Sequence, residues 1–556
     1  MLVATSSNRP KPRSALGLTL VEVRRWARAQ RISRATFAQV HDEAFLLAVS
    51  RLLQSIHREG YIPTSALRKD AAGRWSLDVG RAPMLTAPVS GPLPFRRLEL
   101  TGPPWTVYGG KRRIIRTTRA FLRALRWSLR RSKLARHFDR LAVRFDNSFA
   151  NLVLNRLLGR RLVGRRKAIE PVYLGHHYHP FPGLRIGPSL QQVVRCSNLS
   201  PKTIEIPLVA VRQGRFDSVD FDDQRACLRK WADLSSPPGA GAVIPVHPWQ
   251  LELSPIVTEL LQQGQIVPLN ATLEAVPLAS QRTCRIVATG FDVKLPINAT
   301  LTSEVRLLYP LNRANAPAVS ALARLFLIAS GEDALDFQYD VASIAHDVPR
   351  LGTHLAAIVR SPVRRRPGDF VIPALNLWAG PRDLPVLGRP DLAYEFFRAY
   401  CRALMRGPVD FYTRWGMALE PHLQNVYVVL RDGMPSRIVL RDLDATILDP
   451  ARIRPVARAH DLRLAPDTWR HMPSYESGGL RLTHALLYGH LGEVMSCLVR
   501  TAHVDLEKLS AVVEDTWDEL IAAAAPSARR VVCGLRAQSD SVRAMLRREL
   551  APAAPG

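Results

Sequence analysis

Apolar side chains recur at three- and four-residue intervals through most of the first part of the chain. The segments LTLVEVRRWARAQ and FAQVHDEAFLLAVSRLLQSIH carry this spacing, which predicts two amphipathic helices because an α-helix repeats every 3.6 residues. A turn-rich passage over residues 82–104 follows, and then a basic segment that we expect to be helical through Leu129. The segment ARHFDRLAVRFDNSFANLVLNRLL predicts a further helix.

From about Val172 the pattern changes to short runs rich in β-branched and aliphatic residues. TIEIPLVAV, AVIPVHP, TCRIVAT and DVKLPINAT each predict a strand, and Gly290-Phe291 joins the last two into a predicted hairpin. Helical spacing returns in SALARLFLIAS and, after the loop SPVRRRPGD, in LAYEFFRAYCRALMRGPVDFYTRWG. The pattern therefore predicts an α+β chain whose β-rich middle lies between helical regions.

The composition is that of a folded protein with several cores. The chain has 556 residues, of which 47% are hydrophobic, so we expect two or three subdomains. No uninterrupted apolar stretch approaches the ~18 residues of a membrane helix, and the N-terminus lacks the apolar segment of a secretory signal. The six cysteines lie far apart without a C-x-x-C pair, which is typical of reduced thiols. We expect a cytoplasmic protein.

The formal net charge of +29 raises the question of a nucleic-acid partner. Almost all of the positive charge is arginine, and basic clusters such as KRRIIR, RALRWSLRR and RRR are scattered along the chain. None of these clusters accompanies an aromatic ladder, a helix-turn-helix or an RNA-binding signature. We therefore expect a solvated basic surface with neither nucleic acid nor membrane as partner, and a field that favours acidic substrates.

The segment from Glu420 to Thr446, EPHLQNVYVVLRDGMPSRIVLRDLDAT, predicts a loop followed by a hairpin. Asp432-Gly433 between two alternating apolar runs is a strong hairpin signal. Because a hairpin brings its two ends together, the polar residues before the first strand should lie near the acidic residues after the second. These residues are His422, Gln424, Asn425, Asp442 and Asp444.

Oxygen ligands gathered at strand ends suit magnesium on a nucleotide phosphate. The candidates are Glu420, Asn425, Asp442 and Asp444. A loop with a histidine and an asparagine before a hairpin is also found in kinase-like phosphotransferases. In those enzymes an aspartate follows the histidine and accepts a hydroxyl proton. This loop has Leu423 and Gln424 there, which favours ligation by a carboxylate, a nucleophile that needs no base. An ordinary surface hairpin with polar ends would give the same pattern.

A second group of candidates surrounds the earlier predicted hairpin. Lys294 stands within an otherwise apolar strand, in a chain with only nine lysines among its 77 basic residues. A compact ammonium suits a phosphate oxygen, and Arg306 can bind a carboxylate or phosphate bidentately. Two half-exposed strands with polar outward faces would also account for this pattern. The polar residues around Lys294 are Ser280, Arg282, Thr283, Thr302, Ser303 and Arg306.

Three histidines, His176, His177 and His179, lie in the loop YLGHHYHPFPGLRIG. No Cys or His pair completes a zinc site at a usual spacing, so we interpret the loop as a rigid element that presents imidazoles to an anion. The segment IPVHPWQ, with His247 at its centre, follows a predicted strand. It is equally consistent with a functional loop and with a packed turn.

Taken together, these motifs resemble one family. IPVHPWQ, Ser280-x-Arg282-Thr283, K-L-x-x-x-A-x-L-T-S-x-x-R from Lys294 to Arg306, and H-x-Q-N followed by R-D-x-D resemble the synthetases of the aerobactin type, the IucA/IucC family. These enzymes are also called NRPS-independent siderophore synthetases. The likeness runs from about Asn147-Ser148 to Asp444, with weaker echoes near LLYGHLGEVMSCLV.

The resemblance implies a hand-like fold and an ATP- and Mg²⁺-dependent reaction. A mostly helical thumb would span residues 1–170, β-rich fingers 171–375, and a distantly kinase-like palm 376–556. A carboxylate of citrate or a related polycarboxylic acid would attack the α-phosphate of ATP, and an amine, hydroxylamine-bearing amine or alcohol would then displace AMP. A homodimer is a further expectation. A kinase-like phosphotransferase and a nucleotide-binding member without activity stay as alternatives.

The resemblance also implies a role for each candidate. Lys294, Arg306 and His422 would be catalytic, and Glu420, Asn425, Asp442 and Asp444 would surround magnesium. Thr302, Arg306 and His422 would face the substrate carboxylate. The nucleotide would contact Ser280, Arg282, Thr283, Lys294, Gln424, His176 and His179.

This sequence departs from the family pattern in two places. The loop usually reads Gly-His-Pro-x-His-Pro-x-x-Lys-x-Arg, but here His177 replaces the first proline, Gly183 the lysine, and Leu184 the following small hydroxyl residue. Gly489 stands where the late helix motif usually has asparagine. The lysine that Gly183 replaces normally supplies a cation near the nucleotide, and this sequence lacks it. The departures imply either an unusual acid substrate or reduced activity.

Overall fold

The computed structural model describes residues 17–80, 85–91, 93–162, 170, 175–200, 202–212, 214–218, 242–379 and 389–538. Helices and largely antiparallel sheets alternate through these ranges, so the predicted α+β class is confirmed. None of the helices in the described ranges combines the length and apolar character that crossing a bilayer requires.

The N-terminal region pairs long helices with a small sheet. The helices are Leu20–Ala29, Arg34–Arg58, Thr118–Ser128 and Phe138–Leu162. The sheet was not predicted, because its strands are short and lie partly in the turn-rich passage. Its last strand is Lys111–Ile114, which we expected to be helical, so that expectation was wrong. All four residues are exposed, and no alternation of buried and exposed positions marks them as a strand. The strands in spatial order are Leu67–Lys69, Trp75–Val79, Leu85–Val89, Trp105–Tyr108 and Lys111–Ile114.

An eight-stranded antiparallel sheet forms the middle of the molecule. It contains the predicted hairpin, in which Thr283 pairs with Lys294 and Arg285 with Asp292. The next strand in the sheet pairs Ile358 with Lys294 and so brings a second cationic strand alongside. The strands in spatial order are Gly214–Ser218, Asp340–His346, Ala356–Arg360, Asp292–Lys294, Thr283–Ile286, Ile266–Pro277, Ile204–Val211 and Ala242–Pro245.

The strand predicted from DVKLPINAT is broken into two. It ends at Lys294, and a new strand begins at Ile297 in a different sheet, because Pro296 lacks the N–H that a continuous ladder needs. The second sheet turns at Thr302 and Ser303, beside the loop that carries the histidines. Its strands in spatial order are Glu304–Arg306, Ile297–Leu301 and Arg185–Ile186.

The later predicted hairpin is confirmed. Asp432 and Gly433 both have left-handed backbones, with φ of 51° and 78°, as a two-residue hairpin turn requires. The hairpin belongs to a four-stranded sheet, two of whose strands precede the predicted boundary at residue 375. The strands in spatial order are Leu335–Phe337, Met434–Leu440, Val426–Arg431 and Phe370–Pro373.

Helices surround these sheets, and a two-stranded ladder joins Met417–Ala418 to Ile447–Leu448. The segment His484–Leu491 is a π-helix, a rare form that is frequently found at functional sites. The α-helices are Leu190–Cys196, Pro248–Leu253, Pro255–Gln262, Pro310–Ser330, Pro349–Gly352, Ala374–Ala379, Pro390–Trp415, Pro450–Ala459, Thr468–His471, Tyr475–Thr483, Gly492–Ala502, Leu506–Ala523 and Pro526–Ala537.

Candidate functional site

The two predicted hairpins meet at Lys294. Its ammonium donates to Asp442 Oδ1 at 2.7 Å and to both carboxylate oxygens of Asp444 at 2.7 and 2.9 Å. The Lys294 side chain is only 3% exposed. Lys294 comes from the large sheet and the aspartates follow the four-stranded sheet, so the ion pair joins the two halves of the site.

A second cation continues this network. Arg360 donates to Asp442 Oδ1 at 2.9 Å and to Asp340 Oδ1 at 2.6 Å. Burial alone would raise the pKa of Asp442, but the charges of Lys294 and Arg360 hold it well below its usual range. Burial, together with the charge of Asp444, raises the pKa of Asp340 to about 6 against the attraction of Arg360. Arg360 and Asp340 were not among the residues predicted from the sequence. Like Lys294, each stands at the end of a buried apolar strand, and that signal could have found them.

A cavity of about 640 Å³ opens beside this network, within the usual range for small-molecule sites. All of the predicted site residues line it, including those predicted from separate motifs. They are His176, His179, Ser280, Arg282, Thr283, Lys294, Thr302, Arg306, Glu420, His422, Gln424, Asn425, Asp442 and Asp444.

Three non-glycine residues of the cavity wall have left-handed backbones. The φ angles are 65° at Gln281, 57° at Thr302 and 71° at Asp442. Such conformations cost free energy and cluster at functional sites, and for a β-branched threonine they are uncommon. Thr302 is held there by its backbone N–H, which donates to the carbonyl of Leu184 at 3.1 Å.

Arg306 and Thr302 form one corner of the cavity. The Arg306 guanidinium donates to the Leu301 carbonyl and, at 2.7 Å, to Thr302 Oγ1. Arg282 supports this corner from behind by donating to the carbonyl of Leu307 at 3.0 Å. On the adjacent loop, Ser280 Oγ caps the strand by accepting from the N–H of Thr283.

Three imidazoles lie next to this corner. The ring of His176 is 5.9 Å from that of His179 and 6.4 Å from that of His422. Burial, and then the neighbouring imidazoles and Arg306, hold the pKa of His176 well below its usual range, so its ring is neutral. His179 Nδ1 accepts from the N–H of Phe181, which leaves Nε2 to donate to Ser303 Oγ at 3.1 Å. The histidine loop thus lies beside the corner formed by Arg306 and Thr302.

The four predicted magnesium ligands all reach the cavity but differ in their partners. Three carboxylate oxygens of Asp442 and Asp444 converge on the single point that the Lys294 ammonium occupies. Glu420 instead pairs with Arg481 at 3.0 Å, and Asn425 donates to the backbone carbonyl of Glu420. No cluster of three His, Cys, Asp or Glu side chains in the described ranges has metal-binding geometry as it stands. The aspartate pair is nevertheless a cation site by its donor chemistry.

Glu170 holds the two sides of the site in register, although no sequence motif marks it. Its carboxylate accepts from both terminal nitrogens of Arg441 at 2.6 and 3.0 Å, and from the Tyr427 hydroxyl. The other contact is the N–H of Ala279, which precedes Ser280. Arg441 precedes Asp442 and also donates to the Gln424 carbonyl. One buried carboxylate therefore ties the loop that contains Ala279 and Ser280 to the later hairpin.

The departures from the family pattern have clear structural settings. His177 lies beside the buried Glu493, with 3.6 Å from Nδ1 to Oε1. A Cβ on Gly489 would lie 3.1 Å from the Cβ of His422, so this glycine leaves the wall beside His422 open. Next to Gly183, the guanidinium of Arg185 reaches the cavity wall. Burial lowers its pKa to about 10, and its hydrogen bonds go to Asn151, Asn155 and Gln281.

Gly183 has no room for the lysine of the family pattern. A Cβ there would lie 2.6 Å from the Ser148 carbonyl oxygen and 3.0 Å from Leu152 Cγ. We expect Gly183→Ala to lower the free energy of unfolding by about 1–3 kcal/mol because the backbone must move to relieve this overlap. The measurement is denaturant unfolding. Gly534→Ala, in a helix with open space around the new methyl, is the matched control and should not destabilise. An unchanged stability of the Gly183 variant would contradict the packing described.

Residues 168–378 match the family model described as IucA / IucC family. The chain carries an IucA / IucC domain. This domain contains the hairpin that carries Lys294, the histidine loop and Glu170. Residues 394–552 match a second model, described as a ferric iron reductase FhuF-like transporter. This range includes the later hairpin and the aspartates Asp442 and Asp444 that follow it.

Curated proteins resemble this chain over part of its length. The chain is 24% identical over 372 residues to an L-2,3-diaminopropanoate–citrate ligase of Staphylococcus aureus, covering 59% of this chain and 61% of that one. It is 24% identical over 317 residues to staphyloferrin A synthase of the same species, covering 54% and 53%. The alignments thus span between half and three fifths of the relatives' length.

Solved structures share the fold along most of the chain. ATP-bound aerobactin synthetase IucA from a hypervirulent pathotype of Klebsiella pneumoniae superposes with a TM-score of 0.74 at 17% identity, covering 87% of this chain and 93% of that one. The petrobactin biosynthesis protein AsbB from Bacillus anthracis gives a TM-score of 0.71 at 18% identity, covering 93% and 94%. The IucA / IucC domain and the helical C-terminal part therefore adopt the arrangement found in these proteins.

Proposed function

We propose that this chain is an ATP-dependent ligase that adenylates a carboxylate of citrate or a related polycarboxylic acid and joins it to an amine or alcohol during siderophore synthesis. The observation that carries the proposal is the convergence of Lys294 with Asp442 and Asp444 in one cavity. It supports the proposal because an ammonium suited to phosphate lies beside carboxylates suited to a metal ion. The names of the relatives and the ATP-bound neighbour support the same class of reaction.

Within this proposal the cavity has a phosphate side and a carboxylate side. Ser280, Arg282 and Thr283, with Lys294, would bind the triphosphate, while Gln424, His176 and His179 would help to position the nucleotide. Thr302, Arg306 and His422 would hold the acid. The neutral His176 imidazole adds no charge, so the cations of the corner would supply the attraction for the anionic substrates.

Asp442 and Asp444 fit a magnesium ion because three of their oxygens already converge on one cation. Asn425 and Glu420 lie on the same wall and would complete the ligand set, together with phosphate oxygens. A bound magnesium ion would neutralise part of the triphosphate charge. For this to happen the Lys294 ammonium must leave the aspartates, and the phosphate is its natural new partner.

The proposed chemistry uses the acid itself as the nucleophile. A carboxylate oxygen forms a bond to the α-phosphorus of ATP as the bond to pyrophosphate breaks, and the amine or alcohol then attacks the carbonyl carbon and releases AMP. Lys294 and Arg306 stabilise the negative charge that develops on the phosphate in the first step. The thumb, fingers and palm at 1–170, 171–375 and 376–556, with the kinase-like palm, remain part of the proposal.

Pyrophosphate release tests the proposal. The protein is incubated with ATP, magnesium and a panel of di- and tricarboxylic acids, with hydroxylamine as a surrogate acceptor. We expect one acid class to stimulate release of pyrophosphate and AMP. If ADP accumulates instead, a phosphotransferase replaces the ligase. If nucleotide binds without any turnover, the chain is a binding protein.

His422→Ala should mainly impair use of the acid. Loss of a hydrogen bond to a charged group costs about 1.5–3 kcal/mol, so we expect the KM for the acid to rise about 10-fold or more while the KM for ATP changes little. Steady-state kinetics with each substrate varied in turn measures this split. His460→Ala, an exposed histidine outside the cavity, is the control. Unchanged kinetics in the His422 variant would remove it from the acid site.

A further inference from the structure

The segment from Lys111 to Arg136 concentrates positive charge to an extent that the rest of the chain does not. It holds eleven lysines and arginines, and no aspartate or glutamate occurs between Glu99 and Asp139. The whole chain, by contrast, carries 48 acidic residues against 77 basic ones. Protein surfaces usually intersperse both signs, because a block of like charges repels itself. A single-signed block therefore calls for an anionic partner.

All eleven cations are exposed. They lie on the edge strand Lys111–Ile114, on the helix Thr118–Ser128 and on the turn that follows. Within the described ranges, ion pairs join two of them, Arg116 to Asp42 at 3.7 Å and Arg126 to Asp139 at 3.0 Å. Protection of an edge strand from aggregation would account for cations on the strand. It does not account for those on the helix.

Apolar side chains stand among these cations. The exposed fractions are 68% for Tyr108, 53% for Ile114, 51% for Trp127 and 47% for Val107. Because Val107 and Ile114 lie on one face of the hairpin and Tyr108 on the other, the hairpin presents apolar surface on both faces. Cations interleaved with aromatic and aliphatic side chains match the interface of a bilayer, where aromatic rings lie at headgroup level.

Guanidinium groups already cover the aromatic rings. Arg112 lies 3.6 Å from the ring centre of Trp105, and Arg130 lies 4.4 Å from that of Trp127. Arg113 lies 5.4 Å from the ring centre of Tyr108. Proteins that bind single-stranded nucleic acid stack bases on open aromatic faces, and here a guanidinium lies over one face of each of these rings. A second copy of the chain is disfavoured, because a two-fold contact would place this basic segment against itself.

In place of the expectation from the sequence that no membrane is a partner, we propose that the segment Trp105–Arg136 is a peripheral docking surface for anionic phospholipid. The cations attract the phosphate headgroups, and Tyr108, Ile114 and Trp127 enter the headgroup layer. No residue of this segment lines the cavity, so docking leaves the cavity free and would hold the protein at a membrane surface. The proposal does not depend on the reaction in the cavity.

Vesicle flotation of the full chain tests the proposal. We expect vesicles of phosphatidylglycerol and phosphatidylcholine to retain the protein, vesicles of phosphatidylcholine alone to fail, and retention to fall with salt. A variant with Lys111, Arg112, Arg119 and Arg123 replaced by glutamine should lose about fivefold in vesicle affinity for each cation removed. The control replaces Arg25, Arg28, Arg365 and Arg530, which are exposed elsewhere, and should keep most of the affinity. Thermal melting checks that both variants are folded.

Two further results distinguish an anionic membrane from other partners of this segment. Tyr108→Ala with Trp127→Ala should weaken vesicle binding at every salt concentration, because it removes the part that enters the headgroup layer. Equal retention on neutral vesicles, or equal loss in the scattered control, would overturn the proposal. It would also be overturned if a single-stranded oligonucleotide bound through the same four cations while anionic vesicles did not retain the protein.

Discussion

Replacing Lys294 by methionine is expected to lower the rate of acid-dependent pyrophosphate release by ~100-fold or more. A preorganised cation next to a reacting phosphate typically contributes about 3–4 kcal/mol to the barrier, and methionine keeps the length of the side chain without its charge. The variant also removes the ammonium that bridges Asp442 and Asp444, while Arg360 still donates to Asp442. The same loss is expected for Arg306→Ala, which removes the guanidinium from the corner formed with Thr302.

A matched control separates chemistry from stability. Arg285→Met removes a partly buried cation from the same hairpin, where it pairs with Asp292 at 2.7 Å, but Arg285 does not line the cavity. We expect this variant to lose stability and to keep its turnover at temperatures where it is folded. Circular dichroism and single-turnover pyrophosphate release measure the two properties. Near-normal rates in both the Lys294 and Arg306 variants would exclude these residues from the reaction.

Glu170→Ala is expected to lower the free energy of unfolding by ~3–5 kcal/mol. The Glu170 side chain is fully buried and accepts a bidentate ion pair from Arg441, so its removal leaves an arginine inside the protein without its carboxylate. Urea unfolding measures the loss. Glu519→Ala breaks an exposed pair with Arg402 and should cost at most about 1 kcal/mol. Equal losses in both variants would contradict the anchoring role.

The same pair makes part of the stability depend on pH. Burial alone would raise the pKa of Glu170, but the Arg441 charge and the hydrogen bonds from Arg441, Tyr427 and Ala279 lower it below its ordinary 4.5. A lowered pKa in the folded state means that this contribution is present above about pH 4.5 and is lost as the pH falls below it. The loss on acidification should therefore be smaller in Glu170→Gln than in the parent.

The sequence alone predicts a large part of this site because its signals are local. An Asp-Gly turn between alternating apolar runs specifies a hairpin, and a hairpin fixes which residues share its open end. The pattern of residues along the chain is therefore enough to place His422 and Asn425 near Asp442. Lys294 could be singled out because a lysine in an apolar strand is costly to bury without a partner.

Other parts depend on contacts between distant segments and carry no local signal. Glu170 meets Arg441 across 271 residues, and Arg360 meets Asp442 across 82. The N-terminal sheet was missed because its edge strand is exposed on every residue, so no alternation of apolar and polar positions marks it. The break at Pro296 did have a local signal, because proline lacks the N–H that a strand needs. The apolar run around it nevertheless led us to predict one continuous strand.

The ion pair at the centre of the cavity has one more consequence. Many enzymes that use divalent ions keep several carboxylates close together, and mutual repulsion then loosens the resting protein whenever the ion is withdrawn. Here the Lys294 ammonium already balances Asp442 and Asp444. We therefore expect a chelator to leave the free energy of unfolding of the resting protein unchanged, because the folded pocket does not need a metal ion to balance these carboxylates.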